Sequence, residues 1–147
     1  MILDTNILSE LRKIKAGRAH PAVAAWAGEQ DFTRAGLSAV TIMEVEIGIL
    51  RLHRYDPVQA AHLRDWFEGS VLPGFHGRIL PVDSAVARRC AALHVPVSVP
   101  DRDALIAATA LVHDMTLATR NTRDFAGMGV RLVDPFTYRV GTGSAPE

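Results

Sequence analysis

Acidic and amide side chains follow or adjoin apolar segments of this chain at several points, and their types suit the binding of a hard cation. Asp4 and Asn6 come directly after the apolar pair Ile2 and Leu3. The comparable residues further along the chain are Glu44, Asp103, Asn121 and Asp124. Clustered carboxylates repel one another, so a folded protein keeps them together only when they share protons or bind a cation. Mg²⁺ and Mn²⁺ prefer oxygen ligands and keep bound waters.

The chemistry that such a cluster supports is hydrolysis of a phosphodiester by a metal-activated water. The ion would neutralise the scissile phosphate, lower the pKa of a bound water and hold that water for in-line attack. Zinc is less favoured, because the six histidines show neither an HxH nor an HExxH spacing. The residue types therefore predict a Mg²⁺-dependent phosphodiester hydrolase.

Each residue also has a purely local interpretation. The run Asp4-Thr5-Asn6 is typical of a helix N-cap, and Glu44 lies three residues after Thr41, in capping-box spacing. The other acids with a local interpretation, at a helix start or in a turn, are Asp101, Asp103 and Asp124. The prediction of a site therefore depends on whether the fold brings these residues together.

The elements that must position them alternate along the chain. Apolar segments typical of strands are residues 2–3, 36–40, 78–82, 115–119 and 130–133. Segments with helical spacing are residues 7–11, 21–26, 42–53, 57–69, 84–93 and 104–113, with Asp83 or Ser84 as the cap of the fifth. Alternation of this kind predicts a mostly parallel sheet of four to five strands with helices on its faces. Ligands bind such sheets beyond the carboxyl ends of the strands, where the strand order reverses.

Length and composition fit one globular domain. The chain has 147 residues, of which 48% are hydrophobic, and its sixteen basic and sixteen acidic residues give no net charge. The longest nearly apolar run, residues 104–112, is far shorter than the roughly 20 residues of a membrane span. With no membrane span and no secretory signal expected, we predict a cytoplasmic protein. Cys90, the single cysteine, is expected to be a small buried residue.

Four stretches together resemble a known family. They are MILDTNILSE, SAVTIMEVEIGIL, RDALIAATALVHDMTLATRNTRDF and VRLVDPF, and they occur in this order over nearly the whole chain. The sequence resembles the PIN-domain ribonucleases, and in particular the VapC-type toxins of bacterial toxin–antitoxin pairs. The resemblance implies an α/β/α sandwich, a single PIN domain over residues 1–137, and a flexible tail over residues 138–147.

The resemblance also implies a site. Its acidic residues would be Asp4, Glu44 and Asp103, which would hold Mg²⁺, or Mn²⁺ as a substitute, for cleavage of RNA. Asn6 would orient Asp4 or a bound water, with Thr5 and Thr119 as further supporting polar residues. Glu46 lies roughly 200° around the helix from Glu44 and is expected to face elsewhere.

The fourth acidic position departs from the family pattern. Many relatives have an aspartate directly after the Thr-Arg pair, whereas this chain has Asn121 there and its nearest acid is Asp124. Either Asn121 serves as a neutral ligand or Asp124 reaches in from the next turn. The loss of one charge should weaken metal binding in the absence of RNA, whose phosphates can supply oxygen ligands.

Partners and competing functions follow from the same resemblance. VapC-type toxins form homodimers and are inhibited by a VapB-like antitoxin, a small DNA-binding protein, and residues 7–26 and 42–54 are candidate contact regions. One alternative is a catalytically silent PIN-fold protein that holds an antitoxin or RNA. Another is a small-molecule Mg²⁺ phosphohydrolase of the haloacid-dehalogenase type, which is disfavoured because the second acid it needs is replaced by Asn6.

Overall fold

The computed structural model describes residues 1–141, in which five short strands form the centre of the fold. They are β1 (Ile2–Leu3), β2 (Leu37–Ser38), β3 (Ile79–Leu80), β4 (Leu117–Ala118) and β5 (Leu132–Val133). β4 pairs with β1 on one side and β5 on the other, and β2 pairs with β3, all in parallel. The predicted parallel sheet is therefore confirmed; β1 has the predicted bounds, and the other four strands are shorter than their apolar segments.

Gly36 joins the two parts of the sheet. Its amide donates to the Met1 carbonyl (2.9 Å), and its carbonyl accepts from the Leu3 amide (3.1 Å). The resulting strand order is β3-β2-β1-β4-β5. A Cβ at this position would lie 3.1 Å from the Arg78 carbonyl oxygen, a tight contact, so the close approach of the strands favours glycine.

Helices cover both faces of this sheet. They are α1 (Thr5–Leu11), α2 (Pro21–Gly28), α3 (Ala39–His53), α4 (Pro57–Trp66), α5 (Leu72–Gly74), α6 (Ser84–Leu93), α7 (Asp101–Val112) and α8 (Thr122–Phe125). A π-helical turn, Phe67–Val71, joins α4 to α5, so the helix predicted over residues 57–69 continues further than expected. Within residues 1–141, no helix is long and apolar enough to cross a bilayer.

Adjacent strand residues belong to opposite sides of the core. Leu3 packs with residues of α1 and α2, including Ile7 and Trp26, whereas Ile2 packs with residues of α7, including Ile106. Side chains alternate between the faces of a strand, so a sheet covered on both faces needs apolar residues at consecutive positions. This arrangement confirms the α/β/α sandwich.

The start of α3 corrects one prediction. Ser38 is its N-cap, since the Ser38 Oγ accepts from the Val40 amide at 3.1 Å. The predicted cap at Thr41 is therefore wrong, because the strand ends two residues earlier than its apolar pattern indicated. Thr41 lies inside the helix, fully buried, and its Oγ1 has no hydrogen-bond partner in the described part of the chain.

Two smaller predictions concern α6 and the C-terminal end. Asp83 caps α6 by accepting from the Val86 amide at 3.0 Å, and Cys90 is buried, as predicted. Tyr138 packs against the core and its hydroxyl hydrogen-bonds Glu29. Most of the tail expected over residues 138–147 lies outside the described residues, and the domain boundary stays a prediction.

Candidate active site

The site lies where the strand order reverses, between β1 and β4. Asp4 directly follows β1 and Thr119 directly follows β4, and the Asp4 amide donates to the Ala118 carbonyl at 2.9 Å. The connections that leave these two neighbouring strands run to opposite sides of the sheet, which opens a crevice at their carboxyl ends.

Asp4 is almost fully buried and is held by three donors. Its Oδ1 accepts from the Thr5 amide at 2.8 Å, which also caps α1. Its Oδ2 accepts from the Thr119 hydroxyl at 2.7 Å and from Asn6 Nδ2 at 3.3 Å. The local and the functional interpretations of Asp4 are therefore compatible, because one carboxylate oxygen caps the helix while neighbouring groups orient the other.

Glu44 joins the site from α3. Its Oε1 accepts from the Thr5 hydroxyl at 2.9 Å, so it does not form the capping box considered with Thr41. Burial raises the pKa of this half-buried carboxyl, and the negative charges of Asp4 and Asp103 raise it further, against the Thr5 hydrogen bond and the nearby Arg102.

Glu46 faces away from this site, as predicted from the helical period. Both its carboxylate oxygens accept from Arg64 on α4, at 2.6 and 2.7 Å. Two glutamates that are two residues apart therefore have separate environments on the same helix, and Glu46 is a natural control residue.

Asp103 enters from the first turn of α7. Burial raises its pKa, and the charges of Asp124 and Asp4 add to this effect. The N-cap of α7 is Pro100, with no side-chain cap bond, whereas the exposed Asp101 lies 3.3 Å from the Nε2 of His94. Neither of the two acids is therefore a hydrogen-bonding cap.

The two candidates for the fourth position occupy different places. Asn121 is exposed, and its backbone amide donates to the Thr119 hydroxyl at 3.0 Å, while its side chain does not cap α8. Asp124 is also exposed, but it acts electrostatically on Asp103. Thr119 thereby links the loop after β4 to Asp4.

The donor set fits a hard divalent cation in its chemistry. Asp4, Glu44 and Asp103 offer carboxylate oxygens. Burial is the main cause of the raised pKa values of Glu44 and Asp103, and repulsion between the acids, which a cation would relieve, adds to it. Within residues 1–141, no group of three or more His, Cys, Asp or Glu side chains is arranged to hold a metal ion. An ion held here would therefore take further oxygen ligands from water or from substrate phosphate.

Arg102 is a residue that the sequence did not single out. Its charge lowers the pKa of Glu44, against the effect of the neighbouring acids. One arginine among fourteen carries no distinguishing signal in the sequence. Only the placement of α7 beside α3 brings it near the site.

Comparison with known proteins identifies the family to which this fold belongs. The model of the PIN domain matches residues 1–130. The chain belongs to the PIN-domain family. This PIN domain is 33% identical over 141 residues to VapC ribonuclease Y4jK of Sinorhizobium fredii (strain NBRC 101917 / NGR234), with 92% of the chain and 97% of the relative covered. It is 36% identical over 142 residues to Toxin FitB of Neisseria gonorrhoeae (strain ATCC 700825 / FA 1090), with 92% and 98% covered.

Solved structures give the same assignment. A chain of the crystal structure of FitAcB from Neisseria gonorrhoeae superposes with a TM-score of 0.83 at 33% identity, covering 92% of this PIN domain's chain and 98% of its own. A chain of a toxin–antitoxin complex from Klebsiella pneumoniae superposes with a TM-score of 0.60 at 32% identity, covering 91% and 96%. The predicted family and fold are confirmed.

Proposed function

We propose that this chain is the toxin of a toxin–antitoxin pair and acts as a metal-dependent endoribonuclease. The observation that carries the proposal is the group of acids Asp4, Glu44 and Asp103 at the sheet's switch point, with raised pKa values at two of them. The relatives named VapC ribonuclease and Toxin FitB, which cover nearly the whole chain, support the choice of RNA as the substrate.

The three acids would hold Mg²⁺, with Mn²⁺ as a substitute. When bound, the ion supplies charge neutralisation at the scissile phosphate and a water of lowered pKa. The chain's own contribution is positioning: Thr119 and Asn6 fix the Oδ2 of Asp4, and Thr5 fixes Glu44. Attack by water, rather than by the ribose 2′-hydroxyl, leaves a 5′-phosphate and a 3′-hydroxyl.

Asp124 is the better candidate for the fourth acidic position. Its charge reaches Asp103, whereas Asn121 contacts the site through its backbone amide on Thr119. A carboxylate that stays exposed can reach an ion directly or through a bound water. Asn121 then serves to keep the loop after β4 in register with Asp4.

An apolar groove supports the proposal of an antitoxin partner. Its volume is about 490 Å³, and it lies between α1 with its following turn and the π-helical turn after α4. Its apolar lining includes Leu8, Leu11, Ile14 and Trp66, with Arg12 and Lys15 at the same groove. This lining suits an amphipathic segment of a VapB-like protein that carries acidic residues. One side of the groove, formed by α1 and its following turn, falls in the first predicted contact region, residues 7–26. With RNA as the target, the proposed place of action is the cytoplasm.

The test compares matched carboxylate variants of the purified, antitoxin-free chain on total bacterial RNA, with and without Mg²⁺ or Mn²⁺. Asp4→Asn and Asp103→Asn should each lower cleavage by at least about 100-fold, because each removes a charge from the metal-binding group. Glu46→Gln is the control and should cleave like the wild type, since Glu46 binds Arg64 away from the site.

The ends of the fragments identify the mechanism. A 5′-phosphate together with loss of cleavage in EDTA supports hydrolysis by a metal-activated water. A 2′,3′-cyclic phosphate, or equal cleavage by wild type and Asp4→Asn, would refute it. Intact RNA with every protein would favour the alternative of a PIN-fold protein that binds without cutting, a reading suggested by the neutral Asn121.

A further inference from the structure

Three side chains form a stack at the rim of the acidic site, which we call the rim stack. The guanidinium carbon of Arg120 lies over the ring of Phe136, 4.4 Å from its centroid. The ring of His20 contacts the same phenyl ring from another direction, with a centroid distance of 5.3 Å and an interplanar angle of 56°. Residues from three separate parts of the chain thus meet around one aromatic ring.

The rim stack is connected to Asp4 through a single intervening residue. The Arg120 amide donates to Asn6 Oδ1 at 3.1 Å, and the Nδ2 of the same Asn6 donates to Asp4 at 3.3 Å. Arg120 also follows Thr119, whose hydroxyl binds Asp4. The backbone of Arg120 is therefore one residue removed from Asp4 along two routes, through Asn6 and through Thr119.

Hydrogen bonds hold the backbone at the other two members of the stack, and one of them also holds the His20 ring. The Phe136 amide donates to the side chain of Asp134 at 2.9 Å. The His20 amide donates to Glu10 at 2.7 Å, and its Nδ1 accepts from the Ala22 amide at 3.2 Å. Groups held in this way lose little conformational freedom when a ligand binds.

Within residues 1–141, the guanidinium of Arg120 contacts an aromatic ring but no carboxylate. In the described part of the chain, no carboxylate forms an ion pair with Arg120, and the side chain is exposed. Arg131 and Arg64, by contrast, pair with Asp114 and Glu46. A guanidinium with one face on a phenyl ring and the other toward solvent offers a flat cationic surface to a ligand.

We propose that the rim stack is the subsite for an unpaired base of the nucleotide next to the scissile phosphate. Single-stranded RNA is bound by stacking of splayed bases on aromatic rings and on arginine planes, and the cation also attracts the backbone. The proposal rests on RNA being the substrate, and it assigns Arg120 and Phe136 to base binding rather than to hydrolysis.

The experiment measures binding of two fluorescein-labelled probes by anisotropy, in EDTA at low ionic strength. One probe is an octauridylate, and the other is an octamer of abasic ribose phosphates with the same charge. Arg120→Lys keeps the cation but removes the plane. It should weaken binding of octauridylate by about 5- to 100-fold, the range for loss of one stacked base, and change binding of the abasic probe by less than about twofold.

The matched control is Arg131→Lys, because Arg131 lies at the opposite, amino-terminal edge of the sheet. This variant should bind both probes like the wild type. Phe136→Leu removes the ring under the guanidinium and should reproduce the selective loss, with thermal melting used to confirm that the variant folds. Equal affinities of Arg120→Lys and wild type for octauridylate overturn the proposal, as does an equal loss for both probes.

The result can be separated from the fate of the nuclease proposal. Metal-dependent cleavage of RNA with no base-selective loss in Arg120→Lys leaves the nuclease standing and removes the subsite. A base-selective loss in a protein that cleaves no RNA leaves the subsite standing as part of a binding protein.

Discussion

Ionisation of Asp103 and Glu44 destabilises the folded protein. Burial, together with the charges of neighbouring acids, raises both pKa values above their ordinary values of 3.8 and 4.5. An acid whose pKa is raised on folding stabilises the folded protein fully at a pH below its ordinary pKa. This stabilisation is lost as the pH rises through the pKa of the folded state. The metal-free site is therefore a source of instability at neutral pH.

Asp103→Asn should stabilise the metal-free protein at pH 7, because it removes one of the repelling charges. Solvent screening at this partly exposed site keeps the gain in the free energy of unfolding below about 1 kcal/mol. The gain should disappear at about pH 3, below both ordinary pKa values, where the wild-type acids are neutral too. Urea denaturation of both proteins at the two pH values measures it.

Added Mg²⁺ provides a second test with the Asp103→Asn variant. A ligand that binds only the folded state stabilises it by mass action, so the ion should raise the melting temperature of wild type more than that of Asp103→Asn. A large loss of stability in the variant at pH 7 would instead mean that Asp103 stabilises the start of α7.

At the scale of elements, α3 determines which of its acids enters the site. The cap at Ser38 fixes where the helix begins, and with it the direction of Glu44 toward Thr5 and of Glu46 toward Arg64. A helix that began at Thr41, as the capping-box spacing suggested, would have its first turn three residues later. The strand end at Ser38, rather than the spacing of Thr41 and Glu44, decides the start.

Two conservative substitutions in α3 should have opposite effects on stability. Ser38→Ala removes the cap and should lower the free energy of unfolding by about 1 kcal/mol. Thr41→Val replaces a buried hydroxyl that has no hydrogen-bond partner within residues 1–141 by a methyl group of the same shape, and should be neutral or stabilising by up to about 1 kcal/mol. Thermal denaturation of the two variants measures both, and a destabilised Thr41→Val would mean that the hydroxyl has a partner in solution.

At the scale of the whole molecule, an apolar stripe on α3 points to self-association. Met43 and Leu50 are 43% and 57% exposed, and the partly buried Ile47 lies between them at helical spacing. Large apolar side chains in one exposed row are typical of an interface. We infer that this stripe contributes to the homodimer that the family resemblance implies.

Leu50→Arg should therefore convert a dimer into a monomer. Light scattering after gel filtration should give twice the 16.0 kDa chain mass for the wild type and the chain mass itself for the variant. The control is Val58→Arg on α4, an exposed apolar position off the stripe that should leave the dimer intact. A monomeric wild type, or a dimer that survives Leu50→Arg, would contradict this use of the stripe.

Local patterns in the sequence were sufficient to predict much of the fold and part of the site. Alternating apolar segments and helical spacing predicted the parallel sheet and its helices, because burial on two faces requires apolar residues at adjacent strand positions. Polar residues placed directly after strands predicted that Asp4 and Asn6 lie at the carboxyl edge. The helical period alone separated Glu44 from Glu46.

The tertiary structure decided what depends on contacts between distant parts of the chain. The bond from Thr119 to Asp4 joins residues 115 positions apart, and the rim stack joins His20, Arg120 and Phe136. Electrostatic influence of Asp124 on Asp103 exists only because α7 and α8 pack together. The sequence by itself determined the elements and the residue types of the site, since these follow from local backbone preferences and burial. Strand order and helix packing set which of those residues meet, because both are fixed by contacts across the whole fold.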